Sequence, residues 1–213
     1  MNTKFERLEE PRKTQLINAA LREFSTKGYD EASTNIIAKE SGLSKSLLFH
    51  YVGSKHELFL LLYDYAITTI LNDFFNAIDL TEKDMLKRCQ QIAFVKLDLL
   101  HKSPALFDFY KVAIDTTSEE VAPELEKRNK GLRSISFDKL FTGIDKSLFR
   151  DDIDANKATN LIVWILNGLA DALQQKVKDL RMEQIDYESL IEESNAYFYI
   201  VEKCFYKEGL ECL

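Results

Sequence analysis

Apolar residues recur at helical spacing along almost the whole of this 213-residue chain, and few residues interrupt them. Leu16, Ile17, Ala20, Leu21 and Phe24 form the first such stripe. Only 7 glycines and 3 prolines are present, and these are the residues that most often end helices. No segment shows the alternation of apolar and polar residues that is typical of strands. The sequence therefore predicts an all-α fold of about nine helices.

Capping residues place the helix boundaries. A first helix begins near Pro11 and ends near Gly28, and two short helices begin at Ser33-Thr34 and Ser44. Ser54 and Glu57 form a capping box at the start of a fourth helix. We predict that helix over residues 55–77, followed by helices at about 82–101, 104–115, 118–141, 154–178 and 187–207, and Ser118 and Asp154 mark the starts of two of them as capping residues.

Charge is distributed unevenly along the chain. The net charge is −7, yet residues 1–57 hold nine basic and eight acidic side chains, so the excess of acid lies in the remainder. This asymmetry favours two modules with different partners, which we place at residues 1–54 and 55–213. No charge-free stretch reaches the ~20 residues of a membrane span. Three widely spaced cysteines without a CxxC pair favour a reducing, cytoplasmic location.

Motifs of enzymes are missing from the sequence. It contains no G-x-S-x-G, no phosphate-binding P-loop, no H-E-x-x-H and no glycine-rich dinucleotide turn. His50, His56 and His101 are not spaced as metal ligands, and Asp98 with His101 makes only half of a helical di-iron motif. We therefore predict no catalytic residue, no metal and no cofactor.

The most informative stretch is TNIIAKESGLSKSLLFHYVGSK, residues 34–55. A short helix, a glycine turn at Gly42 and a second short helix capped by Ser44 make a helix-turn-helix, with Ala38 allowing the two helices to cross closely. Such a module exposes the start of its second helix, so Lys45 and Ser46 are candidates for reading base edges in a major groove. Around them lie four further candidates for DNA contact, which are Thr34, His50, Tyr51 and Lys55.

The run from Leu16 to Leu62 resembles the N-terminal domain of the TetR/AcrR family of transcriptional regulators. The resemblance is carried by G-Y at Gly28, T-x-x-I-A at Thr34, G-L-S at Gly42 and S-K-x-E-L at Ser54. It implies a ligand-responsive, homodimeric repressor that binds double-stranded DNA at a palindromic operator and is released by an unidentified small-molecule effector. An all-helical ligand-binding and dimerisation domain is expected to follow the helix-turn-helix.

Carried over by position, the resemblance implies separate roles for the six candidates. Thr34, Tyr51 and Lys55 match positions that contact phosphates, whereas Lys45, Ser46 and His50 lie where bases are read. Two residues depart from the family pattern. Phe49 stands where a tyrosine is common, which removes one hydroxyl for a phosphate, and Val52 replaces a frequent phenylalanine, which changes core packing.

The second module offers two interpretations of its aromatic and polar side chains. An apolar pocket with a few polar groups is one hypothesis, lined by Phe94, Phe107, Tyr110, Trp164, Asn167 and Asp171. These residues could equally be core, and Asn167 and Asp171 could serve a dimer interface.

Residues 161–173, LIVWILNGLADAL, are apolar on nearly every side, so a helix there must be covered all round. We predict a homodimer through the helices at 154–178 and 187–207, with a monomer built on a buried central helix as the alternative. A helical module that senses a ligand or partner without binding DNA is the alternative function.

Overall fold

Nine α-helices account for most of the chain in a computed structural model that describes residues 4–177, 180 and 184–207, and the side chains of all of these except 131–138. The helices are α1 (Glu10–Glu31), α2 (Thr34–Glu40), α3 (Lys45–Val52), α4 (Lys55–Ala77), α5 (Met85–Lys102), α6 (Pro104–Asp115), α7 (Ala122–Phe141), α8 (Ala155–Lys176) and α9 (Tyr187–Phe205). Short 3-10 turns lie at Phe5–Arg7 and Lys146–Leu148. The prediction of an all-α fold is confirmed.

Most helix starts follow the capping residues that the sequence indicates. The Asp154 side chain accepts hydrogen bonds from the backbone N–H groups of Asn156 and Lys157 at the start of α8. Gly28 has a φ of 69° and interrupts α1 where the sequence places its end, although a last turn continues to Glu31.

The predicted start of α7 at residue 118 is wrong, because the helix begins at Ala122. Pro123 has no backbone N–H and is tolerated only in the first turn of a helix, so a helix that began at residue 118 would have a proline in its interior. Residues 116–121 therefore form a connection between α6 and α7. Ser118 lies within it and its carbonyl accepts from the N–H of Ala122 at 2.9 Å.

The first compact unit comprises the chain up to Phe75 together with Lys102–Ser136. Helix α1 packs against α2 and α6, and α2 packs against α3. Aromatic rings from three helices form the centre of this unit. The Phe59 ring of α4 lies 4.9 Å from Phe24 of α1 and 5.2 Å from Phe109 of α6, and all three side chains are fully buried.

The second compact unit comprises Asn76–His101 and the chain from Phe137 onward, which contain α5, the end of α7, α8 and α9. Its core includes Met85, Phe149, Ile162, Phe198 and Tyr206. The two units are defined by which helices pack together. They do not test a boundary between functions, so the boundary that we place between residues 54 and 55 stays a prediction.

Of the described helices, α4 alone is long and apolar enough, by length and composition, to cross a membrane. Its apolar side chains are used within the fold. Leu58, Phe59, Leu62, Tyr63 and Ala66 are all buried in the core of the first unit. The apolar side chains in the first half of α4 thus belong to the core of the first unit.

A buried arginine joins two segments of the second unit. Arg88 is 1% exposed, and its guanidinium donates to the backbone carbonyls of Leu80 at 3.0 Å, of Leu140 and Thr142 at 2.9 Å, and of Glu82. Leu140 lies in the last turn of α7, where helix carbonyls lack intrahelical partners and carry the negative end of the helix dipole. Arg88 therefore fixes the end of α7 against the loop that precedes α5.

We expect Arg88→Met to lower the free energy of unfolding by about 3 kcal/mol, because several carbonyls lose a charged donor. Urea denaturation followed by circular dichroism measures the change. Arg128→Met is the matched control, since Arg128 is paired with Asp64 and Glu124 at the surface and its loss should cost less than about 1 kcal/mol. Equal losses in the two variants would contradict the role of Arg88.

Candidate nucleic-acid interface

A tight turn joins α2 to α3. Ser41 is buried, and its hydroxyl donates to the carbonyl of Ile37 at 2.7 Å. Gly42 has a φ of 68°, a conformation that residues with a side chain rarely adopt. The N–H of Leu43 then donates to the carbonyl of Ala38 at 2.9 Å, and the Leu43 side chain is buried. The structure thus has the helix-turn-helix that the sequence predicts.

Helix α3 separates a buried face from an exposed one. Ser44 caps the helix by accepting from the N–H of Leu47 at 3.2 Å. Leu48 and Val52 are fully buried in the core of the first unit. Lys45, Ser46 and His50 are exposed and lie on one side of the helix, because they are spaced by one and four residues. Three of the six predicted DNA contacts are thereby brought to a common outward face.

Gly53 permits the close junction between α3 and α4. Its φ is 84°, a backbone conformation that residues with a side chain rarely adopt. The Ser54 hydroxyl accepts from the N–H of Glu57 at 3.1 Å, as the capping box predicts. Helix α4 therefore begins at Lys55, directly after the exposed helix α3.

The other three candidates are half-buried at helix ends. Thr34 is the first residue of α2, and the ring of Tyr51 in the last turn of α3 meets the His50 ring edge-on at 5.3 Å. Lys55 has defined partners, since its ammonium donates to the carbonyl of Asp30 at 2.9 Å and lies 5.0 Å from the centroid of the Tyr29 ring.

Sequence reasoning missed Tyr29 and Asp30 as neighbours of Lys55. The G-Y pair at Gly28 was a signal for Tyr29, but nothing in the sequence pointed to the Asp30 carbonyl. The two departures from the family pattern lie where expected. Val52 is fully buried, so its smaller size affects packing, whereas Phe49 is half-buried on α3.

The six candidate ligand residues belong to two different units. Phe107 and Tyr110 are half-buried on α6 in the first unit, where the Tyr110 ring stacks on Tyr63 at 6.3 Å. In the second unit, Phe94 on α5 is 61% exposed and Trp164 on α8 is 67% exposed, and Asn167 and Asp171 are exposed on α8 as well.

Two open grooves lie in the described part of the chain, and of the six residues Phe94 lines one of them. An open groove of about 340 Å³ in the second unit includes Phe94 and also Asp98, His101 and Tyr187. An open groove of about 360 Å³ in the first unit is lined by Ile114, Leu125 and Asn129 among others. The assignment of the six residues to an effector site stays a prediction.

Comparison with known proteins agrees with this architecture. The family model described as "Bacterial regulatory proteins, tetR family" matches residues 16–62, which include the helix-turn-helix and the start of α4. The chain is 28% identical over 146 residues to the HTH-type transcriptional regulator NfxB of Pseudomonas aeruginosa, a match that covers 66% of this chain and 72% of NfxB.

Solved structures share the fold over nearly the full length. The ketosteroid transcriptional regulator KstR2 of Mycobacterium tuberculosis is 22% identical, with a TM-score of 0.60 over 95% of this chain and 98% of its own. A TetR-like transcriptional regulator from Rhodococcus sp. RHA1 is 18% identical, with a TM-score of 0.62 over 91% of this chain and 97% of its own. Residues 16–62 thus match the TetR family of bacterial regulatory proteins, and the chain shares the fold of TetR-family transcriptional regulators over nearly its full length.

Proposed function

We propose that this protein is a transcriptional repressor of the TetR family that binds a palindromic operator as a homodimer and is released by a small-molecule effector. The observation that carries the proposal is the two-sided character of α3. Leu48 and Val52 anchor it in the core, while Lys45, Ser46 and His50 face outward. A short helix held rigidly on one side and polar on the other has the form needed to enter a major groove.

The six candidate residues supply two kinds of contact in this proposal. Lys45, Ser46 and His50 read base edges, since lysine donates to guanine O6 and N7 and a hydroxyl or imidazole can donate or accept. Thr34, Tyr51 and Lys55 donate to phosphate oxygens on either side of α3, and such contacts set the register of a protein on the duplex.

Dimerisation is supported by an exposed apolar stripe on α8. Ile162 is fully buried, but Leu161, Trp164 and Ile165, which are spaced three and four residues apart, are 42%, 67% and 40% exposed. The described part of the chain therefore does not cover α8 all round, as a monomer built on a buried central helix would require.

Helix α9 packs against α8 and exposes Tyr197, Tyr199 and Ile200. A second copy that buries these two stripes would form a four-helix bundle about a twofold axis.

Control by an effector follows from the same assembly. Two recognition helices must stand ~34 Å apart to enter successive major grooves. Helix α4 begins at Lys55, directly after α3, and continues to Ala77. A ligand that favours a different orientation of α4 would therefore change the distance between the two recognition helices. A coupling of ~1–3 kcal/mol, or roughly 5- to 150-fold in affinity, is typical for such regulation.

Selection of binding sites from random duplex DNA tests the proposed function. We expect the recovered sequences to be inverted repeats with half-sites centred about one helical turn apart. Recovery of no preferred sequence at low salt would contradict the proposal. That result would favour a module that senses a ligand or partner without binding DNA.

We expect Lys55→Ala to weaken binding to all DNA sequences alike and to lower the slope of log affinity against log salt by about one unit, because one phosphate contact is lost. Fluorescence anisotropy at several salt concentrations measures both quantities. Lys130→Ala is the control, since this exposed lysine is paired with Glu126 on α7 and should leave the slope unchanged.

Lys45→Ala should instead relax the preference at particular base pairs, with a loss of about 1–3 kcal/mol on the best operator and less on operators altered at those positions. A panel of single-base operator variants measures this pattern. A uniform loss on every operator variant would refute base reading by Lys45.

Trp164→Glu should convert the dimer to single chains and weaken operator binding, because a charge would be buried in an apolar interface. Analytical ultracentrifugation measures the assembly. Gln174→Glu is the matched control, since it adds the same charge at an exposed position of α8 that lies off the stripe. A Trp164→Glu chain that still sedimented as a dimer would contradict the proposed interface.

A further inference from the structure

Two side-chain hydrogen bonds join the connection between α6 and α7 to the C-terminal end of α1. The Ser118 hydroxyl donates to Oδ1 of Asp30 at 2.8 Å, and the Tyr29 hydroxyl donates to the carboxylate of Glu120. The bonded residues are 88 and 91 positions apart in the chain, and all four lie in the first compact unit. Residues 116–121 thus reach back to the segment that directly precedes the helix-turn-helix.

The same two residues of α1 are the neighbours of the Lys55 ammonium. Lys55 donates to the carbonyl of Asp30 and lies over the ring of Tyr29. An ammonium has three N–H donors, so the bond to Asp30 leaves donors for a phosphate oxygen. Because lysine has a flexible four-carbon stem, the position of its ammonium depends on the fixed residues around it.

Tyr29 can couple Glu120 to the position of the Lys55 ammonium. Its side chain is 3% exposed, and its ring packs edge-on against Phe59 at 5.2 Å. Burial, together with the neighbouring Glu120 carboxylate, raises the pKa of Tyr29, so the phenol keeps its proton and remains a donor at neutral pH. A phenol that donates to a carboxylate carries more electron density in its ring, which strengthens the attraction for an ammonium over the ring face.

The connection itself has little freedom to shift on its own. Ser118 is 8% exposed and Val121 is fully buried. The carbonyl of Ser118 accepts from the N–H groups of Val121 and Ala122 at the start of α7. A movement of the start of α7 would therefore move Ser118 with it.

We propose that Ser118 and Glu120 are positioning residues for Lys55. Through Asp30 and Tyr29 they hold the Lys55 ammonium where it meets a phosphate, so the α6–α7 connection sets part of the affinity for DNA. The inference rests on the proposed function, in which Lys55 contacts the DNA backbone.

A double-mutant cycle on the full-length chain tests the inference. Tyr29→Phe and Ser118→Ala are made alone and together with Lys55→Ala, and operator affinity is measured at several salt concentrations. Tyr63→Phe is the matched control. Tyr63 is also a buried phenol of the first unit, donating to Asn129 at 2.5 Å, and it has no part in the contacts of Lys55.

We expect Tyr29→Phe and Ser118→Ala each to weaken binding on the order of 5-fold and to lower the salt slope toward that of Lys55→Ala. In the Lys55→Ala background, neither substitution should weaken binding further. Tyr63→Phe should leave both affinity and slope unchanged, even if thermal unfolding shows a similar loss of stability.

Two different results would overturn the inference, and they can be told apart. If Lys55→Ala weakens binding but the losses from Tyr29→Phe and Ser118→Ala are the same in both backgrounds, the positioning role is wrong while the DNA contact stands. If Lys55→Ala changes neither affinity nor slope, the proposed phosphate contact fails and the positioning role fails with it.

Discussion

The burial of aromatic rings shared by α1, α4 and α6 is the interaction on which the first unit depends. Phe24, Phe59 and Phe109 meet edge-on or tilted at 4.9–6.4 Å and are fully buried. Helices α2 and α3 have 7 and 8 residues, too few to be stable alone in water. Their stability therefore comes from packing against this core, and the helix-turn-helix is held by helices that lie outside it in sequence.

Because α3 packs against this core, its exposed side chains are held in defined positions. A recognition helix must present its side chains in a fixed register, because a small displacement changes which base edges they meet. Leu48 and Val52 insert into the shared core, and Gly42 and Gly53 allow the sharp turns at either end of α3. The polar residues that face outward are thus carried on a support that is apolar and closely packed.

The second unit combines a closed core with an apolar surface left open on α8 and α9. Arg88 fixes the end of α7 inside that unit by donating to backbone carbonyls. On the outside, Trp164 and Tyr199 are more than 60% exposed. Apolar area of this kind is costly to leave in water and marks a surface for association, which supports the proposed dimer.

The sequence by itself determined the helical class, the helix-turn-helix and most helix boundaries, because these depend on local signals such as the Ser44 and Asp154 caps and the turn at Gly42. It did not reveal the start of α7. Ser118 is a suitable capping residue, but Pro123 is tolerated only in the first turn of a helix, so α7 begins at Ala122.

Only the tertiary structure decided which side of α8 stays exposed and which residues surround Lys55. Those outcomes depend on contacts between positions far apart in the chain, such as Tyr29 with Glu120 and Arg88 with Leu140. Periodicity and capping describe neighbours within a few residues, and they carry no information about such pairs.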